Sequence, residues 1–287
     1  MQKPSSDLQI VSPSSINDIT PEPGQVFMAP CTPVLFNEKS LPINNTRSWP
    51  EWWKEVESAE GSVRRCAGTA DYLSLGFSIP LWAGLKFRLS PNKRFWETQF
   101  DIAGEHPFAV EGFSFDQTGP IPVTKVRSIQ RANYVKIINP WVIKTAPGWS
   151  SMFLPPMYEP DANWTILPAV VNTDYYHHAH IVLNVLAEDE FTIPLGQSMQ
   201  HIIPFERSST GIEMLYGDER AHHLMDQEGF GTPFIPRNMK SKYKKAQREV
   251  DASLPKCPFG HGESEAPPKT RRWFQRKTKS DKVESQP

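Results

Sequence analysis

The residue types most capable of chemistry are concentrated in Tyr175-Tyr176-His177-His178-Ala179-His180. Side chains alternate along an extended strand, so His178 and His180 share one face with Tyr176 while His177 takes the other. Such a pair, joined by His201 from a later strand, offers three imidazoles to Zn²⁺, Fe²⁺ or Mn²⁺. A divalent metal at His178, His180 and His201 is the one cofactor the sequence puts forward. The competing reading is a set of solvated histidines, or of interface histidines near a trimer axis.

A second candidate lies near the C-terminal end. Lys269 to Lys279 (KTRRWFQRKTK) interleaves Trp273 and Phe274 with six basic residues, among them Arg271, Arg272, Arg276 and Lys277. This composition neutralises phosphates while its aromatic rings stack on bases. A solubilising charged tail is the plainer alternative. His222-His223 reads as exposed surface. Cys257 and His261 supply half of a tetrahedral zinc site and need Cys31 or Cys66 to approach completion. The three cysteines are far apart with no Cys-x-x-Cys spacing, which fits reduced thiols in a cytosolic setting, each used for packing. No P-loop, Gly-x-Ser-x-Gly elbow or dinucleotide fingerprint occurs.

The elements that must position these residues are short strands. Of 287 residues, 28 are Pro and 16 Gly. Proline is about twice its usual ~5% share, which breaks long helices and favours a β-rich fold. The formal net charge of −1 gives no global pull toward nucleic acid or an anionic membrane. Met1 leads into a polar segment with no apolar core of a signal peptide, and no run of 18 apolar residues occurs, so a soluble, unsecreted protein is expected.

Residues 1–24 are rich in Ser, Pro and acids, and read as a flexible arm. A β-rich core is expected over 25–235. Within it, Ser48-Trp49-Pro50-Glu51-Trp52-Trp53 starts a short helix and supplies aromatic anchors for the core, or less plainly an aromatic box. Gly76 should cap a helical turn ending at Leu73, ahead of one or two strands in 77–89. Further strands are expected at 94–100 and 108–115. The richest stretch is Tyr134 to Arg207, where turns at 146–148, 155–156 and 195–196 separate five or six strands. A helix follows over 236–253, clearest at 238–252, and then a disordered basic tail over 254–287.

Three segments within the central stretch resemble the trimeric dUTPase and dCTP deaminase superfamily. Pro147-Gly148-Trp149-Ser150-Ser151-Met152-Phe153 is similar to its Pro-Gly-Tyr turn and strand. Ala169-Val170-Val171-Asn172-Thr173-Asp174-Tyr175 is similar to Gly-Val-Ile-Asp-x-Asp-Tyr, and Leu195-Gly196-Gln197-Ser198-Met199-Gln200-His201 to Gly-Asp-Arg-Ile-Ala-Gln-Leu. The resemblance implies ligand-binding positions at Asn172, Asp174, Tyr175 and His201. It also implies lost triphosphatase chemistry. The family's phosphate-holding Arg and Ser fall at Pro156 and Met157, which offer no charge-assisted donor. Its water-activating carboxylate falls at Asn172, which is no base at neutral pH.

Asn139-Pro140-Trp141-Val142-Ile143, Ala146-Pro147-Gly148-Trp149-Ser150 and Ile203-Pro204-Phe205-Glu206-Arg207 resemble uncharacterised domains of tailed-bacteriophage genomes, cyanophages especially, as does Gly76-Phe77-Ser78-Ile79-Pro80-Leu81-Trp82. The expected fold is therefore mainly β: a dUTPase-like or jelly-roll β-barrel or sandwich with a few short helices and flexible ends. The expected role is non-enzymatic, as a virion component or a host-interaction or assembly factor, in the virion or host cytoplasm. Partners would be copies of itself in a homo-oligomer such as a trimer, other virion proteins, or nucleic acid through the tail, but no membrane. The rivals are a nucleotide-binding or nucleotide-hydrolysing enzyme, and a cupin-like metal enzyme whose motif glycines are missing here.

Overall fold

The computed structural model describes residues 13–14, 19–32, 35–36, 38–46, 49–59, 62–91, 95–101, 110–112, 134–159, 161–207, 214–221, 224 and 248. Internal contacts divide the chain into Met1–Gly231 and Thr232–Pro287, and every strand below belongs to the first unit. Apart from residue 248, the expected 236–253 helix and the 254–287 tail lie outside the described residues. So do Arg271, Arg272, Trp273, Arg276 and Lys277, along with His222, His223, Cys257 and His261.

The chain is mainly β. Its strands are β1 (Val26–Pro30), β2 (Ile43–Asn44), β3 (Phe77–Pro80), β4 (Leu85–Leu89), β5 (Trp96–Phe100), β6 (Val110–Gly112) and β7 (Tyr134–Ile137). There follow β8 (Trp141–Thr145), β9 (Trp149–Leu154), β10 (Trp164–Ile166), β11 (Ala169–Val171), β12 (Ile181–Val185), β13 (Phe191–Ile193) and β14 (Ser198–Glu206). Two short helices, α1 (Glu51–Glu55) and α2 (Ala67–Leu73), and a 3-10 turn at Val63–Arg65 interrupt them. Among the described residues all pairings are antiparallel and build four sheets: β1-β8, β10-β12-β7-β6, β11-β9-β14-β3-β2 and β13-β4-β5. Each is an open array among the described residues.

Alternation and register explain the core. In β8, Trp141, Ile143 and Thr145 are buried while Val142 and Lys144 are half-buried, the period-two signature of a strand with one face inward. Across the four-stranded sheet Ile181 pairs with Ile137, and Leu183 lies between Val135 and Ile166. These side chains join Ile79, Leu85, Phe87, Phe153 and Ile202 in one apolar cluster. Phe87 stacks on Phe191 at 4.5 Å, with Trp96 set edge-on to both rings. A smaller cluster of Trp53, Leu73 and Met157 collects Trp49, Trp52 and Tyr72, so the tryptophan-rich segment is a packing anchor.

Two local devices hold the sheet that carries the candidate site. Gly76, at φ +62°, turns α2 into β3 directly over β14, where an added Cβ would lie 1.9 Å from the Ile202 carbonyl oxygen. Only glycine combines that conformation with so close an approach. Pro204 lies within β14 but beyond its pairing with β3, which ends at Ile202. Its missing N–H is tolerated there because β14 keeps only β9 as a neighbour.

Residues 134–207 hold eight strands, not five or six. The extra ones, β10, β11 and β13, have three residues each, too few to establish a period. Pro168 divides β10 from β11, and Glu188-Asp189-Glu190 precedes β13. Within the strands expected at 94–100 and 108–115 lie β5 and β6, the remaining positions apart from Phe95 being outside the described residues. Cys31 and Cys66 are free and exposed, against the packing expectation, because they sit just past the end of β1 and just ahead of α2.

Candidate functional site

The segment from Asn172 to Tyr175 is a turn that leaves β11, and Asn172 organises it. Its carbonyl oxygen accepts the N–H groups of Tyr175 and Tyr176, at 3.3 and 2.9 Å. Its side-chain oxygen accepts from Ser150 Oγ at 2.7 Å, and its amide nitrogen donates to the Tyr175 hydroxyl at 2.6 Å. Beneath it, the buried Thr173 hydroxyl meets those of Thr145 and Ser151 at 2.8 and 2.9 Å. These three hydroxyls satisfy one another away from water, which lets a polar turn sit on an apolar core.

Asp174 projects from that turn onto the end of β14. Arg207 Nη1 donates to Asp174 Oδ1 at 2.8 Å and Nη2 to Oδ2 at 2.5 Å, a two-point fork that planar guanidinium and carboxylate groups favour. The Gly148 N–H adds a third bond to Oδ2 at 3.0 Å. Gly148, at φ +81°, gives the β8–β9 turn the left-handed conformation it needs. Arg207 Nη1 also donates to the Trp149 carbonyl and to Ser150 Oγ, both at 3.1 Å. Its guanidinium lies 5.9 Å from the Tyr175 ring centre.

The electrostatics follow from this geometry. Arg207's hydrogen bonds, helped by the Gly148 N–H, hold the Asp174 carboxyl below the usual aspartate range against the opposing effect of its own burial. Asp174 in turn pushes the Arg207 guanidinium further up. Both carboxylate oxygens are engaged, and the neighbouring groups are an amide, a serine hydroxyl and a tyrosine that is 67% exposed. A general base needs a carboxylate or imidazole within reach of a substrate proton. Here the Asp174 carboxylate is an ionised anchor. The cluster can hold a loop rigid and present Tyr175, with Asn172 behind it, to a partner.

Of the residues expected to bind a ligand, the structure brings together Asn172, Asp174 and Tyr175. His201 is elsewhere, buried within β14 with its Nε2–H donating to the Leu75 carbonyl at 2.8 Å and its ring edge-on to Tyr72 at 4.9 Å. Burial pulls its imidazole below the ordinary histidine value. His178, His180 and His201 are likewise not brought together. Among the described residues no three His, Cys, Asp or Glu side chains form a metal-binding group. Residues 176–180 are not a strand, since β12 begins at Ile181, so the period-two argument for His178 and His180 has no strand beneath it. His177 instead places Nδ1 3.1 Å from the Thr173 carbonyl oxygen. Arg207 is the residue that sequence reading left without a role. Its signal was indirect: Gly148 and Asp174 fall in segments of one resemblance noted above, and Gly148 and Arg207 in segments of the other.

No protein-family model matches the chain, and no curated protein does. Among solved structures the chain is similar to native EIAV dUTPase, at 10% sequence identity and a TM-score of 0.29, over 50% of this chain and 84% of that one. That is a weak likeness between β folds.

Proposed function

We propose that this is a non-enzymatic β-fold protein of a bacteriophage, working through its surface as a virion component or as a host-interaction or assembly factor. The observation that carries this reading is the commitment of Asp174. The carboxylate best placed for chemistry in the turn is bound by a two-point guanidinium and a backbone N–H, and the sequence resemblance implies that Asn172 takes the place of a water-activating acid. Such a cluster fixes a surface and activates nothing.

A second feature favours assembly. Val170, Met152 and Ile203 occupy directly opposed positions on β11, β9 and β14, so one face of the sheet carries an apolar row across three strands. Val170 and Met152 are 57% and 37% exposed, and Tyr175 and Tyr176 are exposed as well. Contiguous apolar surface of this kind marks contact sites. We assign that face to contacts with copies of this chain or with other virion proteins, and the basic tail to nucleic acid.

Mass spectrometry of purified particles tests the reading, with the protein expected at stoichiometric abundance. Its absence from particles, combined with a melting shift on adding a deoxynucleoside triphosphate and Mg²⁺, would replace it with the nucleotide-enzyme reading.

A further inference from the structure

The connection from β9 to β10 encloses a groove of about 460 Å³, lined chiefly by Pro155, Pro156, Tyr158, Glu159, Asp161 and Trp164. That volume falls within the range of small-molecule sites, and the mixture of apolar walls with a few polar groups is typical of them. Among the described residues no Lys, Arg or His lines it.

Its aromatic and acidic groups are held in place. Tyr158 adopts φ 51°, a conformation sparsely used by bulky residues. Its ring is set edge-on to Trp52 and to Tyr72, each at 5.8 Å, yet 58% of the residue remains exposed. Asp161 Oδ1 accepts the Asn163 N–H at 2.7 Å, which fixes the turn into β10. Glu159 is half-buried and has no hydrogen bond or ion pair among the described residues. Burial alone pushes its carboxyl up.

A half-buried carboxylate with no counter-ion among the described residues is an unfavourable arrangement. An organic cation compensates it: the charged head faces the carboxylates, an aromatic face attracts it further, and an aliphatic stem covers the apolar wall. We propose that this groove binds a small organic cation, a guanidinium or ammonium head on an aliphatic stem. The head faces Glu159 and Asp161, and the stem runs along Pro155, Pro156 and Trp164. Like-charge repulsion sets the same groove against a nucleoside triphosphate. The site lies apart from the Asp174–Arg207 cluster and stands whether or not the protein is part of a virion.

Agmatine is the probe, titrated calorimetrically into the full-length protein at low salt, beside Glu159→Gln and Asp161→Asn. The asparagine keeps an oxygen for the Asn163 N–H, so this second variant preserves the turn. Saturable one-to-one binding is expected, weakened about tenfold or more in Glu159→Gln with the far-ultraviolet spectrum unchanged. If Glu159→Gln fails to fold, a comparable loss in Asp161→Asn carries the result. The proposal is overturned by no saturation up to about 10 mM agmatine, an affinity far below that of useful sites. It is equally overturned by unaltered binding in the folded variants, or by a capped arginine tripeptide that binds where agmatine does not.

Discussion

Arg207 grips Asp174 through both terminal guanidinium nitrogens, at 2.8 and 2.5 Å, across 33 residues of sequence. The same side chain donates to the Trp149 carbonyl and to Ser150 Oγ, so it ties the end of β14 to the β8–β9 turn and to the turn after β11. Lysine cannot reproduce a planar fork. Arg207→Lys and Asp174→Asn should each lower the melting temperature, by about 5 °C. The double variant should fall little further than either single one, because partners in one network are not additive. Thermal unfolding followed by circular dichroism checks this; two fully additive losses would mean that the pair does not act as a unit.

Acid should release the same latch. The folded-state pKa of Asp174 is depressed by Arg207, so its contribution is fully present above the unfolded aspartate value of about 3.9 and is lost as pH falls through the folded value. Urea unfolding between pH 6 and pH 2, about the range over which such carboxylates titrate, should therefore show a steeper acid loss in the wild type than in Asp174→Asn. Parallel curves for the two proteins would contradict the assigned role.

Glu159 carries the opposite sign. Burial raises its folded-state pKa, so the unfolded chain ionises first as pH rises past the usual glutamate value of about 4.3. The stability that the protonated group confers is then lost as pH climbs through the folded value. In the absence of ligand, Glu159→Gln should raise the melting temperature at neutral pH and leave it nearly unchanged near pH 3, roughly a unit below that unfolded value. A variant less stable than wild type at neutral pH would show that Glu159 has a stabilising partner.

Legibility in the sequence tracked the range of the physics involved. Alternation is local, so β8 and the general β character could be read directly, and Gly76 announced its turn. Three-residue strands lack a period, and β10, β11 and β13 gain their definition from partners distant in sequence. The histidine segment has β-favouring residues around it, yet the backbone bonds from Tyr175 and Tyr176 to Asn172 bend it before a strand can form. Arg207 and Asp174 meet because β14 runs antiparallel to β9, a fact of topology that no residue spacing encodes. The groove at Glu159 needed three dimensions for the same reason.

Packing separates two valine-sized or larger side chains of similar chemistry. Leu183 is fully buried between the partners Val135 and Ile166, whereas Val170 is mostly exposed on the outer face. Leu183→Ala should destabilise by about 2–5 kcal/mol, the transfer term plus a cavity. Val170→Ala should stay within about 0.5 kcal/mol in the isolated chain. If copies associate through that face, Val170→Lys should shift the light-scattering mass toward the monomer at unchanged far-ultraviolet signal.

The two turn glycines test backbone strain against steric exclusion. Both have positive φ, +62° at Gly76 and +81° at Gly148, so an L side chain is strained at either. An added Cβ at Gly148 meets nothing within 4 Å, and Gly148→Ala should incur only the left-handed conformational penalty, about 1–2 kcal/mol. At Gly76 the Cβ would fall 1.9 Å from the Ile202 carbonyl oxygen and 2.9 Å from its carbon. Neither atom belongs to a flexible side chain, so β3 and β14 would have to separate where they pair. Gly76→Ala should therefore exceed the Gly148→Ala loss by at least about 2 kcal/mol, the top of the range for point substitutions with a named steric cause. Equilibrium urea unfolding of the two variants reads the difference, and equal losses would remove the close β3–β14 approach from the account of the fold.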